Sequence, residues 1–348
     1  MSKDMKHINK KNKFNFGFTL VELLIVIVII GVISAILFVS YTGVQDKAIA
    51  SSLQSDLNSA SDLIRVYQAH DSNGYFPTTL IIANNGVTMP ASKDTTYTAY
   101  QFNNTNTPKT FCLAATRSGK SYSINQEGVP SAGPCPVLQL DAGIATSYPG
   151  TGTVLTDLSG NGNTGNINGA VYTNTNGGVL NFDGVNDYVN SADLSWSSTD
   201  SFSISLWINA NNLTAIKGVI GKVSPDWEWT IFTNGGILSF NYYTTAGAYG
   251  INISTANILL TNQWYFVTVT YNGSQGLIYI NDTQKASALG TGIWQNRTTN
   301  MQIGFSYSPN GSNYYYSGSI GNISIYNKSL SADEVSRNFN ALRSRYGI

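Results

Sequence analysis

Residues 18–39, FTLVELLIVIVIIGVISAILFV, are an uninterrupted apolar run of 22 residues with a single charge, Glu22. At about 1.5 Å per helical residue, a run of that length spans a bilayer core of roughly 30 Å. The 17 residues before it hold five lysines against Asp4 alone, a net +4; since 19 basic and 19 acidic residues cancel over all 348, the remainder carries −4. A basic flank predicts that residues 1–17 stay cytoplasmic. An ordinary secretory signal has a shorter run with a small-residue cleavage site behind it, whereas here the small residue, Gly17, stands in front.

Glu22 is the unusual member of the run. A charge at the centre of a membrane helix costs about 3 kcal/mol on insertion scales and is normally matched by a partner. Cutting between Gly17 and Phe18 would place a new α-amino group one helical turn from Glu22, in the same chain or in a neighbour, and such pairing would align helices in an assembly. Gly17-Phe18-Thr19-Leu20-Val21-Glu22-Leu23 resembles the class III leader and N-terminus of type IV pilins and related pseudopilins. The resemblance implies that a prepilin peptidase cuts after Gly17, that Phe18 is N-methylated, and that Glu22 guides packing against other pilin subunits delivered by an inner-membrane assembly machinery. The sequence departs from many family members at Val39, where they carry proline, and its helix weakener in the run is Gly31.

Beyond the run, Val44, Ala48, Leu53, Leu57, Ala60, Ile64 and Tyr67 recur at spacings of 3 to 5, which predicts an amphipathic continuation of the helix. Asp71-Ser72-Asn73-Gly74 ends it, giving an assembly helix over 18–69. Residues 70–136 read as a small β head, with strands at Tyr97–Phe102, Thr110–Ala115 and Tyr122–Asn125 and no helix. Cys112 and Cys135 are the chain's two cysteines. Export to an oxidising compartment makes a disulfide the first reading, with reduced thiols or a metal pair as alternatives. Closing that loop would contribute about 3.5 kcal/mol in the chain-entropy account. The pattern also resembles the disulfide-closed region of pilin heads.

From Val137 onward, short β-rich runs alternate with Gly and Asn: Val179–Phe182, Phe202–Ile208, Trp229–Phe232, Ile237–Tyr243, Trp264–Tyr271 and Gly276–Asn281. Such spacing predicts a sandwich or jelly roll. Ser331-Ala-Asp-Glu334 forms a capping box that starts a C-terminal helix running to about Tyr346. Segments 157–165, 180–189, 201–208, 263–271 and 323–331 together resemble the laminin-G-type, concanavalin A-like jelly roll. The fold class expected is therefore α+β: a long pilin helix and a small disulfide-closed head, followed by an all-β jelly roll over 137–348.

Function is less constrained, because this fold hosts lectins, glycosidases and interaction modules alike. Asp157, Asn161 and Asn163 in one Gly-rich loop and Asp183, Asn186 and Asp187 in another are hard oxygen donors of the kind calcium takes, and the resemblance implies a structural calcium. The same residues build turns for backbone reasons alone. Exposed aromatics that could stack on sugar rings are Trp227, Tyr242, Tyr243, Tyr249, Trp294 and Tyr315 of the Tyr314–Tyr316 run. Asp226-Trp-Glu228 is the nearest approach to the carboxylate pair of a glycosidase, and it lacks the further acid that glucanase relatives of the fold carry on that strand. With His7 in the leader and His70 at the helix end, the jelly roll has no histidine for a catalytic triad, and no enzyme is expected. Charged residues are 11% of the chain and balanced, which excludes phosphate-driven nucleic-acid binding. The expectation is a membrane-inserted precursor that becomes an extracellular pilus-like filament subunit and displays a lectin-like domain toward a glycan or surface protein. Alternatives are a pseudopilin of a secretion or DNA-uptake system, or a subunit that only coats the filament.

Overall fold

The computed structural model describes residues 20–223, 227–307 and 311–348, the side chains of 35–43 excepted. They fall into two compact units divided between Ile49 and Ala50. Helix α1, Leu20–His70, carries Glu22 in its first turn. In the first unit the large apolar side chains of α1 from Leu20 to Ile33 are 45–80% exposed. Among the described residues no helix is long and apolar enough to cross a membrane. The predicted span, 18–39, reaches outside the described residues at one end and into undescribed side chains at the other.

In the second unit the predicted stripe is buried: Leu53, Leu57, Ala60 and Ile64 are each 0% exposed. Polar contacts fix the same helix to the segments C-terminal to it. Asp56 accepts from the Ser92 N–H and hydroxyl, Arg117 donates to Ser52 Oγ at 2.6 Å, and Arg65 donates to the Gln126 carbonyl at 3.0 Å. A four-stranded antiparallel sheet runs β1 (Thr96–Asn103), β2 (Thr110–Arg117), β3 (Lys120–Asn125) and β4 (Ser131–Ala132), in that order. Ser118 and Gly119 both take positive φ in the two-residue turn between β2 and β3, the conformation that matches strand twist in tight hairpins. The disulfide Cys112–Cys135 ties β2 to the segment after β4, with Cα atoms 5.9 Å apart. One expectation fails here: a single-turn helix α2, Leu80–Ala83, capped by Thr79, interrupts 75–136. Four residues are too few to show a helical period, so the cap was its only sequence signal.

The remainder is a sandwich of two antiparallel sheets. The front sheet is ordered Tyr249–Ser254, Ile237–Tyr243, Trp229–Asn234, Lys217–Lys222, Gln302–Ile303, Tyr188–Asn190, Gly165–Asn168, Val154–Leu155. The back sheet is ordered Thr283–Leu289, Gln275–Ile280, Trp264–Asn272, Ser201–Ala210, Ser317–Tyr326, Val179–Asp183, Val171–Thr173, with Leu138–Leu140 also pairing to Ser317–Tyr326. Alternation puts Ile204, Leu206, Val267, Val269, Ile323 and Ile325 into the core between the sheets. On the outer face of the back sheet, Trp207 stacks at 4.2 Å on Tyr346 and 5.7 Å from Phe339. Phe339 belongs to helix α3, Ala332–Leu342, which begins with the predicted capping box of Ser331 and Glu334 and passes into a 3-10 turn at Arg343–Tyr346.

The small sheet is fastened to the sandwich. Asn125 Nδ2 donates to Gln139 Oε1 at 3.1 Å, Asn106 Nδ2 to Thr164 Oγ1 at 3.3 Å, and the Arg337 guanidinium lies 5.3 Å from the Tyr122 ring centre. Gly160, at φ +85°, lies so near β1 that a Cβ there would meet the Gln101 carbonyl at 2.8 Å, so glycine is required for this approach.

Candidate binding surface of the sandwich

The two Gly-rich loops are closed by their own donors. Asp157, 1% exposed, accepts from the Gln139 and Ser159 N–H groups at Oδ1 and from the Ser159 hydroxyl and Asn163 N–H at Oδ2, all within 2.7–2.9 Å. Asn161 and Asn163 turn their Nδ2 donors to the Val137 carbonyl, at 3.2 and 2.7 Å. In the second loop Asp183 Oδ1 accepts from the Val185 and Asn186 N–H groups, and Asp187 Oδ2 from the Asp183 N–H. Burial first, and then the Asp183 charge, push Asp187 above the usual carboxylate value, against the Asp183 N–H bond, which lowers it. Asp157, Asp183 and Asp187 thus accept the backbone N–H groups of their loops, and Asn161 and Asn163 tie the first loop to Val137. Among the described residues no three His, Cys, Asp or Glu side chains are grouped to hold a metal ion.

The aromatic candidates separate into two classes. Tyr242 is 0% exposed, its hydroxyl 2.7 Å from the Trp196 carbonyl and 2.8 Å from Glu228 Oε1. Trp294, 4% exposed, stacks on Tyr242 at 4.2 Å and donates Nε1 to the Thr291 carbonyl. Both belong to the core, so their nomination as exposed sugar platforms is corrected. Burial, then the Glu228 charge, hold the Tyr242 phenol far above the ordinary tyrosine value. Tyr315 is half-buried and packs on Phe305 at 5.0 Å across the hairpin of Phe305–Tyr307 and Asn313–Tyr315.

Trp227, Tyr243 and Tyr249 come together. Trp227 lies 5.7 Å from Tyr243 and 6.5 Å from Tyr307 between ring centres, and Tyr243, which at 8% exposed is buried and not the exposed platform expected, lies 5.0 Å from Tyr249, itself 49% exposed. Strand alternation turns the successive residues Tyr242 and Tyr243 to opposite faces, the first into the core with Phe240 and the second outward with Asn241. Asn241, between the core residues Phe240 and Tyr242, faces outward beside this group; it is 5% exposed, and its Oδ1 is buried without a hydrogen-bond partner, as is Trp227 Nε1. Burial, then the neighbouring Tyr249 phenol, raise the Tyr243 phenol above its ordinary value, while an Asn241 hydrogen bond acts the other way. One acceptor and one donor are thus left unpaired beneath the clustered rings, each a cost until something pairs with it.

Gly17 and Phe18 lie outside the described residues. Residues 12–38 match the family model of the prokaryotic N-terminal methylation motif, and residues 183–336 match that of the concanavalin A-like lectin/glucanases superfamily. The chain joins a methylation motif to a concanavalin A-like domain. Solved structures to which it is similar include the botulinum neurotoxin serotype G binding domain, 19% identical with TM-score 0.49, covering 60% of this chain and 51% of that one. The binding domain of Paraclostridial Mosquitocidal Protein 1 is also 19% identical, with TM-score 0.49 and coverage of 59% and 52%. The chain thus spans about half the length of these solved chains. No curated protein matches it.

The concanavalin A-like domain also holds a charged network that sequence reading overlooked. Lys222 and Glu228 are both 0% exposed and 2.9 Å apart. Lys222 Nζ also contacts Asp193 Oδ1 and Ser195 Oγ and donates to the Arg297 carbonyl at 2.6 Å, while Glu228 Oε2 accepts from the Arg297 N–H at 2.7 Å. One buried pair so grips both backbone groups of Arg297 and anchors two loops. Glu228, half of the supposed carboxylate pair, is thereby occupied; Asp226 lies outside the described residues. The only sequence signal was a charge ending a strand rich in Gly, Val and Ile, because the partners at 193 and 297 arrive from distant loops.

Proposed function

We propose that the chain is a pilin-type subunit, inserted as a membrane precursor, cut after Gly17, methylated at Phe18 and assembled through its N-terminal helix into a surface filament. Residues 70–136 serve as the pilin head, and the concanavalin A-like domain is the displayed adhesive module. The methylation motif over 12–38 supports the filament part. The adhesive part is carried by the cluster of Trp227, Tyr243, Tyr249 and Tyr307 beside the unpaired Asn241 Oδ1 and Trp227 Nε1. The exposed ring of Tyr249 beside the half-buried rings of Trp227 and Tyr307 suits a glycan, whose rings present apolar faces and hydroxyl edges, with the unpaired donor and acceptor lying beneath them. The reading is non-catalytic and calls for no cofactor: Glu228 is committed to Lys222, Tyr242 and Arg297.

The test compares cells whose filaments carry the full chain, Trp227→Ala, or a chain lacking 137–348. Adhesive display predicts normal filament numbers in all three, attachment greatly reduced by Trp227→Ala and abolished by the deletion. Full attachment by the deleted chain sinks the adhesive reading.

A further inference from the structure

Between the outer face of the back sheet, the small sheet and α3 lies a cavity of about 310 Å³, at the lower end of the roughly 300–1,000 Å³ that small-molecule sites occupy. Its floor is polar by register. Ser205 pairs with Ser324, Ser324 pairs with Gln139, and Gln139 Oε1 accepts from Asn125 Nδ2. The strand neighbours of Ser205, Ser324 and Gln139 point into the sandwich core, so these three face the cavity, and Asn125 lines it from the small sheet. Ser205 and Ser324 are only 2% and 6% exposed. From above, Asn338 of α3 contributes an Nδ2 that is buried without a partner, an arrangement that costs free energy until something accepts from it. Phe266 and Tyr326 supply apolar wall.

The charges narrow the class of ligand. Asp141 and Arg345 line the cavity as a bidentate pair, both contacts 2.7 Å, and so cancel. Glu127 leaves the lining net negative, which disfavours an anion. We propose that this cavity binds a neutral polyhydroxylated molecule of about monosaccharide size. Its hydroxyls meet Ser205, Ser324 and Gln139 and accept from Asn338, while its ring carbons lie against Phe266 and Tyr326. The site is separate from the Trp227 cluster and does not rest on the adhesive reading.

Ligand-observed NMR on the full chain, with glucose and glucuronate as probes, tests it. Glucose should saturate in the millimolar range, and glucuronate should bind at least about tenfold more weakly. Asn338→Leu should weaken glucose about tenfold, the effect of losing one hydrogen bond. Ala341→Trp, at an exposed residue that also lines the cavity, should block binding without disturbing the core, and decides the matter if Asn338→Leu fails to fold. Trp227→Ala should leave in place the part of glucose binding that Asn338→Leu and Ala341→Trp remove. No saturable glucose binding, glucuronate binding as tightly as glucose, or loss of binding only with Trp227→Ala overturns the proposal.

Discussion

The two halves of α1 use similar residues to opposite ends. From Leu20 to Ile33 the helix is apolar on every side, and those side chains are 45–80% exposed. From Leu53 to Ile64 the apolar residues are confined to one stripe that is 0% exposed. A stripe is satisfied by one packed surface, whereas a helix apolar all round needs surroundings on all sides, as a lipid bilayer or a bundle of other helices provides. In one helix, then, the distribution of apolar residues separates the part that stabilises the protein's own fold from the part proposed to act in membrane and filament.

The largest effect expected tests how self-contained the second unit is. Lys222→Met leaves Glu228 buried without its cation and should lower stability by about 3–5 kcal/mol; Lys222→Met with Glu228→Leu should recover most of that. Denaturant unfolding followed by tryptophan fluorescence measures both. If the double variant is no better than the single, the network does more than balance charge. Next, Leu57→Ala should cost about 2–5 kcal/mol, while Ile27→Ala should leave the same unfolding curve unmoved and instead reduce retention in membranes or filaments. Equal destabilisation by both would erase the distinction between the halves. Glu22→Ala should lower incorporation into filaments with cleavage after Gly17 unchanged, scored by immunoblot of sheared material. Equal incorporation would count against pairing with the Phe18 amine.

The smallest effect is a pH dependence. Burial first, then the Asp56 charge, raise Tyr97 from 10.0 to about 12. A phenol raised in the folded state gives stability that is complete below pH 10 and lost as pH climbs through about 12. Absorbance at the tyrosinate band should show Tyr97 ionising late, and Tyr97→Phe should remove that part of the alkaline loss. No difference between variant and parent in that window would mean that Tyr97 is not shielded.

Where one local pattern decided the outcome, the sequence was readable. The spacing of Leu53, Leu57, Ala60 and Ile64 announced the buried stripe, and Ser331 with Glu334 announced the start of α3. The back-sheet strands followed from alternating β-branched residues. What could not be read depended on non-local geometry. Tyr242 and Tyr243 are adjacent in sequence, and alternation puts them on opposite faces, but which face is the core and which meets Trp227 follows from how the two sheets pack. Tyr307 joins that group because its hairpin lies over the front sheet. That Asp157 ties its loop to the neighbouring strand was equally hidden, because the N–H groups that reach its oxygens belong to Gln139 and Asn163, 18 residues before it and six after.

The most direct test of the central claim is the N-terminal mass of the protein in mechanically sheared surface material, compared with washed membranes. A filament subunit predicts a chain beginning at N-methyl-Phe18 in the sheared fraction, with the concanavalin A-like domain still attached. Protein found only in membranes, or one retaining residues 1–17, would contradict it.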